Sequence, residues 1–375
     1  MKIGIVTYHR SHNYGAYLQS YSLSHALNSL EGVECEIINY NLVSEDTVYK
    51  KRLRKRPLYI PIYMKQDKMF EKLQEEQLLS GKLVLSNTYD DVLDEADSKY
   101  DIVIAGSDEI WRIASRGFPN IYWLPGEHNF RKLSYAASGR MKLSTVTDEK
   151  KELLGKLYAD FEYIGVRDEA TREMVEATCP GKKVYRNCDP AFLFNQFKPK
   201  ETLKKYICEK WKLNPENKLI AVMYDRPDVI SQLRKRLGRE YKFICITRPM
   251  WNADKNLCAV TPFEWVDIIG GCDYLVSSYF HGMLFAVNQN TPFVTIDRRA
   301  NRSNLNTSKL YDFLSYTGME ERYHIASEVD DAEWKLIADT IAKEIEEGST
   351  DFTEIVRSQR AGFEDFKNII RGLVE

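Results

Sequence analysis

The chain has 375 residues, of which 43% are hydrophobic and 29% are charged, and its formal net charge is −2. This length exceeds the size at which a single core stops growing, so we expect two domains. The composition is typical of a folded protein and excludes a mainly disordered one. The small net charge gives no indication of nucleic-acid binding, and no apolar run approaches the ~18 residues that a membrane-spanning helix needs.

The seven cysteines are scattered, without a Cys-x-x-Cys pair or the spacing of metal ligands. This pattern is typical of reduced, mostly buried thiols, so we expect no metal site. The first residues, Met1–Val6, predict a strand rather than a signal peptide. We therefore expect a cytoplasmic protein.

The first half of the chain alternates short apolar strands with helices. Strands are predicted at Ile3–Thr7, Glu34–Tyr40, Asp101–Ala105, Lys132–Ala136, Glu162–Val166 and Lys183–Arg186, and helices at Ala16–Leu30 and Glu169–Ala177. This order of strand, loop, helix and strand is typical of one mononucleotide-binding half of a doubly wound sheet.

The second half repeats the alternation. Strands are predicted at Lys218–Tyr224, Lys242–Thr247, Tyr274–Ser277 and Phe293–Asp297, and helices at Val229–Leu237, Pro262–Ile269, Met283–Asn288, Glu333–Glu347 and Phe352–Leu373. We predict an α/β fold of two Rossmann-like domains that face a central cleft. The N-terminal domain covers residues 1–193, a connection 194–217 and the C-terminal domain 218–350, and a final helix in 351–375 packs back on the first domain.

His281 stands where an apolar strand gives way to small polar residues, Ser277-Ser278-Tyr279-Phe280-His281-Gly282. The sequence predicts a loop here between the strand Tyr274–Ser277 and a helix that begins at Met283. Ligands of open α/β sheets bind at such strand ends, helix starts favour anions, and histidine titrates near neutral pH. The alternative is a loop histidine that bonds to the backbone.

Five loop motifs follow predicted strands in a fixed order. They are Asn13-Tyr14-Gly15, Gly106-Ser107-Asp108 with Trp111, Arg167-Asp168, Asp189-Pro190, and Ser277-Ser278 with His281-Gly282. In this order and spacing, from Met1 to about Leu314, the chain resembles the polysaccharide pyruvyl transferase family. The resemblance implies a fold similar to the two-domain GT-B glycosyltransferases.

The resemblance also implies an activity. Such a protein transfers pyruvate from phosphoenolpyruvate to two hydroxyls of a sugar, forms a cyclic ketal and releases phosphate, in the biosynthesis of a surface polysaccharide such as a capsule or exopolysaccharide. The N-terminal domain would bind the acceptor sugar and the C-terminal domain the donor. Phosphoenolpyruvate is a co-substrate, and we expect neither a cofactor nor a metal.

The donor carries a phosphate and a carboxylate, so its site needs cations and N–H donors. The resemblance places Arg167 and Lys309 there, and we add Ser278, Gly282 and Arg302. The alternative for Arg167 is a surface ion pair with a neighbouring acid, which contributes ~0–1 kcal/mol. The alternative for Lys309 is a solvated lysine at a helix start.

His281 matches the functional histidine of the family, and a group whose pKa lies near the working pH suits proton transfer to the enol carbon. Many relatives carry an arginine two residues earlier, where this chain has Tyr279, and an acid after the Asn-x-Gly motif, where it has Ala16. Asp108 or Glu109 could supply the missing base. We assign acceptor binding to Asn13, Tyr14, Gly15, Ser107 and Trp111, and Asp189 is either a site residue or a structural cap.

Two other functions remain open. The first is a glycosyltransferase that uses a sugar nucleotide on the same two-domain fold, and the second is a non-catalytic member of the family. Uridine-diphosphate binding without phosphate release from phosphoenolpyruvate would indicate the first.

Lys50–Arg56 holds six cations in seven residues and precedes the apolar and aromatic run Leu58–Met64. Such a segment can bind an anionic membrane, each cation contributing ~1 kcal/mol, whereas the alternative is a solvated basic loop. We therefore expect a peripheral protein at the inner membrane face that meets a lipid-linked acceptor.

Reversing three charges in Lys50–Arg56 should release the protein from anionic vesicles in a sedimentation assay. Added salt should do the same, because it screens the attraction over ~8 Å at physiological ionic strength. Activity on a short, water-soluble acceptor should survive both treatments. Failure of the wild type to bind vesicles even at low salt would indicate an ordinary loop.

Overall fold

The computed structural model describes residues 1–42, 59–86, 90–113, 118–348 and 350–374. The chain divides into two compact units. The first unit consists of Met1–Ile60, Phe70–Phe194 and Gln359–Glu375, and the second of Pro61–Met69 and Asn195–Ser358. Each unit is an α/β structure with its own parallel sheet.

Seven parallel strands form the sheet of the first unit. They are β1 (Lys2–Val6), β2 (Glu34–Leu42), β3 (Leu79–Ser86), β4 (Ile102–Ala105), β5 (Arg131–Ala137), β6 (Tyr163–Val166) and β7 (Val184–Arg186). Their order across the sheet is β3-β2-β1-β4-β5-β6-β7. The direction of winding therefore reverses between β1 and β4, as in a Rossmann fold.

Six parallel strands form the sheet of the second unit. They are β8 (Lys218–Met223), β9 (Tyr241–Cys245), β10 (Lys255–Asn256), β11 (Tyr274–Ser277), β12 (Phe293–Asp297) and β13 (Tyr323–Ile325). Their order is β10-β9-β8-β11-β12-β13, so the winding reverses between β8 and β11. Both units thus share the Rossmann order, and the predicted fold class is confirmed.

Helices connect these strands and complete the chain. They are α1 (Tyr14–Asn28), α2 (Ile60–Leu73), α3 (Asp90–Asp97), α4 (Asp148–Ala159), α5 (Glu169–Thr178), α6 (Lys200–Trp211), α7 (Asp228–Arg234), α8 (Pro262–Gly271), α9 (Phe280–Asn288), α10 (Lys309–Tyr316), α11 (Asp331–Glu347) and α12 (Thr353–Val374). The sequence reading missed several polar helices. One of them, α6, lies within the predicted connection 194–217, and its buried residues are Leu203, Ile207 and Cys208.

The central strands are buried on both faces. Every residue of β4, β6 and β11 is buried, as expected for parallel strands covered by helices. The final helix, α12, adds to the core of the first unit: the ring of Phe366 lies 4.8 Å from that of Tyr135 and 5.0 Å from that of Tyr163. All seven cysteines are free thiols.

The apolar run predicted to touch a membrane lies partly in α2. Tyr63 is only 5% exposed, and Ile62 packs against the core of the second unit. These two side chains therefore serve internal packing, whereas Met64 is 49% exposed. Lys50–Arg56 and Leu58 lie outside the described residues, and membrane docking stays a prediction. Within the described ranges, no helix combines the length and the apolar composition needed to cross a bilayer.

Gly165 allows β5, β6 and β7 to approach one another. A Cβ at this position would lie 1.8 Å from Oδ1 of Asn187 and 2.8 Å from the carbonyl oxygen of Ser134. Gly165→Ala should lower the free energy of unfolding by about 1–3 kcal/mol in urea titrations, because the strands must move apart. Gly372→Ala is the control, since no atom lies within 4 Å of its Cβ; equal stability of the two variants would contradict the packing role.

Candidate functional site

The carboxyl ends of the strands carry most of the predicted site residues. In an open α/β sheet, ligands bind outside these ends where the winding reverses. That position is the end of β1 and β4 in the first unit and the end of β8 and β11 in the second.

Asp108 follows β4 in an unusual backbone conformation. Its φ is +83°, which is uncommon for a residue other than glycine and is often found at functional sites. Hydrogen bonds hold it there: its carbonyl accepts from the amides of Ile110 and Ser138, and its carboxylate accepts from the amide of Glu109 at 2.8 Å. The carboxylate therefore has a fixed orientation at the reversal point of the first sheet.

Arg167 follows β6 and forms a buried ion pair. Its Nη1 lies 2.7 Å from Oδ2 of Asp189, its Nη2 lies 3.9 Å from Oδ1 of Asp108, and the side chains of Arg167 and Asp189 are only 5% and 2% exposed. Ser107 also donates to Oδ2 of Asp189, at 3.4 Å. Burial alone would lower the pKa of Arg167, but the carboxylates of Asp189, Asp108 and Asp168 outweigh it and raise the pKa.

This environment changes the interpretation of Arg167. The alternative interpretation, a surface ion pair, is wrong because the side chains of Arg167 and Asp189 are both buried. The guanidinium orients Asp189, which also accepts from the amide of Ala191 as the N-cap of a 3₁₀ turn. Asp189 is thus a structural cap, and donor binding by Arg167 stays a prediction.

Two other predicted residues of the first unit have different surroundings: Glu109 forms ion pairs, and Trp111 is buried in the core. Glu109 forms ion pairs with Arg140 at 2.8 Å and Arg112 at 3.5 Å. Trp111 is fully buried, its indole N–H donates to the carbonyl of Tyr122, and its ring packs against Tyr158. The ring of Trp111 thus belongs to the core of the first unit, and its acceptor role stays a prediction.

The Asn13-Tyr14-Gly15 motif begins α1. The Asn13 side chain caps the helix and accepts hydrogen bonds from the amides of Gly15 and Ala16, as preferred at this position. Tyr14 is 4% exposed, and its ring packs 5.2 Å from that of Phe70. These contacts give the motif a structural role, and its predicted contact with the acceptor remains untested.

His281 lies in the first turn of α9 rather than on the preceding loop, because the helix begins at Phe280. The prediction that His281 lies on the loop is therefore wrong. His281 is 9% exposed. Gly282 permits the helix to approach β8, since a Cβ there would lie 2.4 Å from Sδ of Met223.

Two serines before α9 fix the turn that leads into it. Ser277 accepts from the amide of Tyr279 at 2.9 Å and donates to its carbonyl at 3.0 Å. The amide of Ser278 donates to the carbonyl of Met223 at 2.9 Å, and its hydroxyl to the same oxygen at 3.4 Å. The start of α9 is thus held against the end of β8.

Lys309 lies close to the residues around His281. Its Nζ is 5.4 Å from the centre of the Phe280 ring, which is 5.5 Å from the ring of His281. Ser308 caps α10 and donates to the buried carboxylate of Asp297, and this contact sets the position of Lys309. Arg302, by contrast, is 84% exposed and pairs with Glu328 at 3.1 Å. This partner lies outside the residues around His281.

Sequence reasoning missed a cluster beside His281. Asp225 follows β8, and its carboxylate contacts Arg248 after β9, Tyr279 after β11 and Arg298 after β12. Each residue stands one to three positions past a strand end, a signal visible in the sequence. Among the described residues, no group of three or more His, Cys, Asp or Glu side chains is placed to hold a metal ion.

The model of the polysaccharide pyruvyl transferase family matches residues 13–299, most of the chain. The chain belongs to this family. A comparison with curated proteins found no match. The predicted family is therefore confirmed, and with it a transferase enzyme as the general class.

Solved structures of low identity share the fold. UDP-GlcNAc 2-epimerase from Neisseria meningitidis, solved with UDP-GlcNAc, is 10% identical with a TM-score of 0.54, and the match covers 99% of this chain and 100% of that one. UDP-GlcNAc 2-epimerase from Methanocaldococcus jannaschii is 11% identical with a TM-score of 0.54, and the coverage is 100% and 99%. At this identity the likeness supports the fold alone.

The ion pair of Arg167 and Asp189 should contribute mainly to stability. Arg167→Ala leaves the Asp189 carboxylate buried without its partner and should lower the free energy of unfolding by about 3–5 kcal/mol. Arg131→Ala is the control: that arginine pairs with Glu162 on the surface, 43% exposed, and should cost about 0–1 kcal/mol. Equal losses in urea titrations would show that the buried pair is not stabilising.

Proposed function

We propose that the protein transfers pyruvate from phosphoenolpyruvate to two hydroxyls of a sugar, which gives a cyclic ketal and phosphate. Family membership supports the transferase class. The observation that carries the finer proposal is His281 in the first turn of α9, at the reversal point of the second sheet and near Lys309.

The two hydroxyls give up two protons, of which one balances the proton added to carbon and the other leaves with the phosphate. A proton adds to the methylene carbon of the donor, and a sugar hydroxyl attacks the neighbouring carbon and loses its own proton. The C–O bond to phosphate then breaks, and the second hydroxyl adds and loses its proton. His281 is the proposed proton donor, because imidazole exchanges protons near neutral pH.

The remaining roles follow from charge. Lys309 supplies a cation for the donor, and the first-turn amides of α9 add partial positive charge. Asp108, with its carboxylate fixed by the amide of Glu109, is the proposed base for the sugar hydroxyl, and Glu109 is the alternative. The proposed acceptor is a sugar or a lipid-linked oligosaccharide. Only the basic segment Lys50–Arg56 supports a membrane location for such an acceptor.

A sugar-nucleotide glycosyltransferase is the second candidate, because a structure of similar fold was solved with UDP-GlcNAc. The two candidates differ in their donors. Incubation with phosphoenolpyruvate and a panel of aryl or lipid-linked galactosides, mannosides and glucosides should give product mass gain together with phosphate release. UDP-sugar turnover without phosphate release from phosphoenolpyruvate would favour the glycosyltransferase.

His281→Ala should lower kcat by about 10²–10⁴-fold, the usual contribution of a general acid, while phosphoenolpyruvate still binds. Phosphate release measures turnover, and calorimetry measures donor binding. His25→Ala is the matched control, because His25 is an exposed residue of α1 in the first unit. Near wild-type turnover of His281→Ala would remove this residue from the mechanism.

A further inference from the structure

Asp225 is the centre of a charged cluster at the reversal point of the second sheet. Arg248 places its Nε 3.1 Å from Oδ1 of this carboxylate, Arg298 contacts Oδ2, and the Tyr279 hydroxyl donates to Oδ1. Burial, and then the nearby Asp225 carboxylate, raise the pKa of Tyr279, so its hydroxyl remains a neutral donor. Two guanidinium groups thus share one carboxylate.

The cluster is assembled by neighbouring strands. The adjacent strands β9-β8-β11-β12 are followed, within one to three residues, by Arg248, Asp225, Tyr279 and Arg298 respectively. The same edge carries the first turn of α9 with His281. A ligand bound at the reversal point would meet this group.

Charge and exposure distinguish this cluster from the structural ion pairs of the chain. Arg322 pairs with two acids, Glu344 at 2.6 Å and Glu321 at 3.6 Å, and its side chain is 13% exposed. In the Asp225 cluster the carboxylate is 18% exposed, whereas Arg248 and Arg298 are 39% and 32% exposed. The arginines carry one positive charge more than the carboxylate neutralises, and they have more N–H donors than it can accept.

We propose that Arg248 and Arg298 form an anion subsite that takes the carboxylate or phosphate of a small phosphorylated acid. Asp225 and Tyr279 orient the two guanidinium groups, and the helix start adds partial positive charge beside them. Guanidinium binds planar carboxylates and phosphates through paired hydrogen bonds. That the ligand is phosphoenolpyruvate rests on the proposed function. That the subsite binds an anion does not depend on it.

The experiment compares Arg248→Gln, Arg298→Gln and the double variant with wild type. Calorimetry measures the Kd of phosphoenolpyruvate and of inorganic phosphate, and phosphate release measures KM and kcat. Each single variant should raise the Kd of phosphoenolpyruvate about 10- to 100-fold, the equivalent of one lost charge-assisted hydrogen bond. The double variant should lose measurable binding, and the effect should appear in KM more than in kcat.

Arg234→Gln is the matched control. Arg234 belongs to the same unit, is 43% exposed and ends α7, where it pairs with Asp254 at 2.9 Å and donates to the carbonyl of Asn252. Its substitution should leave both Kd values unchanged. If a glutamine variant does not fold, as judged by circular dichroism, Arg248→Lys and Arg298→Lys keep the charge and remove the forked geometry, and each should still weaken binding.

The outcomes separate this inference from the proposed function. Pyruvyl transfer with unchanged donor affinity in the arginine variants would overturn the subsite and leave the function standing. Loss of phosphate binding in the variants, in a protein that transfers no pyruvate, would support the subsite and overturn the function. A wild-type protein that binds neither phosphoenolpyruvate nor phosphate would overturn the subsite.

Discussion

Parallel strand pairing is the constraint on which both candidate edges depend. Because all strands of a sheet point the same way, every loop that leaves a carboxyl end lies on one edge. The order of β1 and β4, and again of β8 and β11, reverses the winding at that edge. Residues that are distant along the chain, such as Asp225 and Arg298, therefore meet there.

The two edges use charge in opposite ways. In the first unit, Arg167 lies between Asp189 and Asp108, and the side chains of Arg167 and Asp189 are both buried. A charge removed from water in this way needs a partner of opposite charge. In the second unit, Asp225 is shared by two partly exposed arginines, so the edge retains positive charge toward solvent. The first edge thus has a closed ion pair, and the second has a more open cluster with excess positive charge.

The start of α9 shows how packing supports chemistry. Gly282 lets the helix approach Met223, and Ser277 and Ser278 fasten the preceding turn to β8. These contacts hold His281 at the strand edge with little freedom. A Cβ at position 282 would require the Met223 side chain to shift and would lie 3.0 Å from Oγ of Ser277.

The sequence alone determined ten of the thirteen described strands, the alternation with helices and the family, because these depend on local apolar patterns and on the order of short motifs; it missed β3, β10 and β13. It also located His281, Lys309 and Asp108, which follow strands or begin helices. It missed α2, α3, α4, α6 and α10; in α4 and α6 half of the residues are charged, which weakens the apolar pattern. The burial of Trp111 and Arg167 and the meeting of Arg248, Asp225 and Arg298 were decided by tertiary structure alone, because burial and the neighbours of a strand end depend on sheet order, which no local pattern encodes.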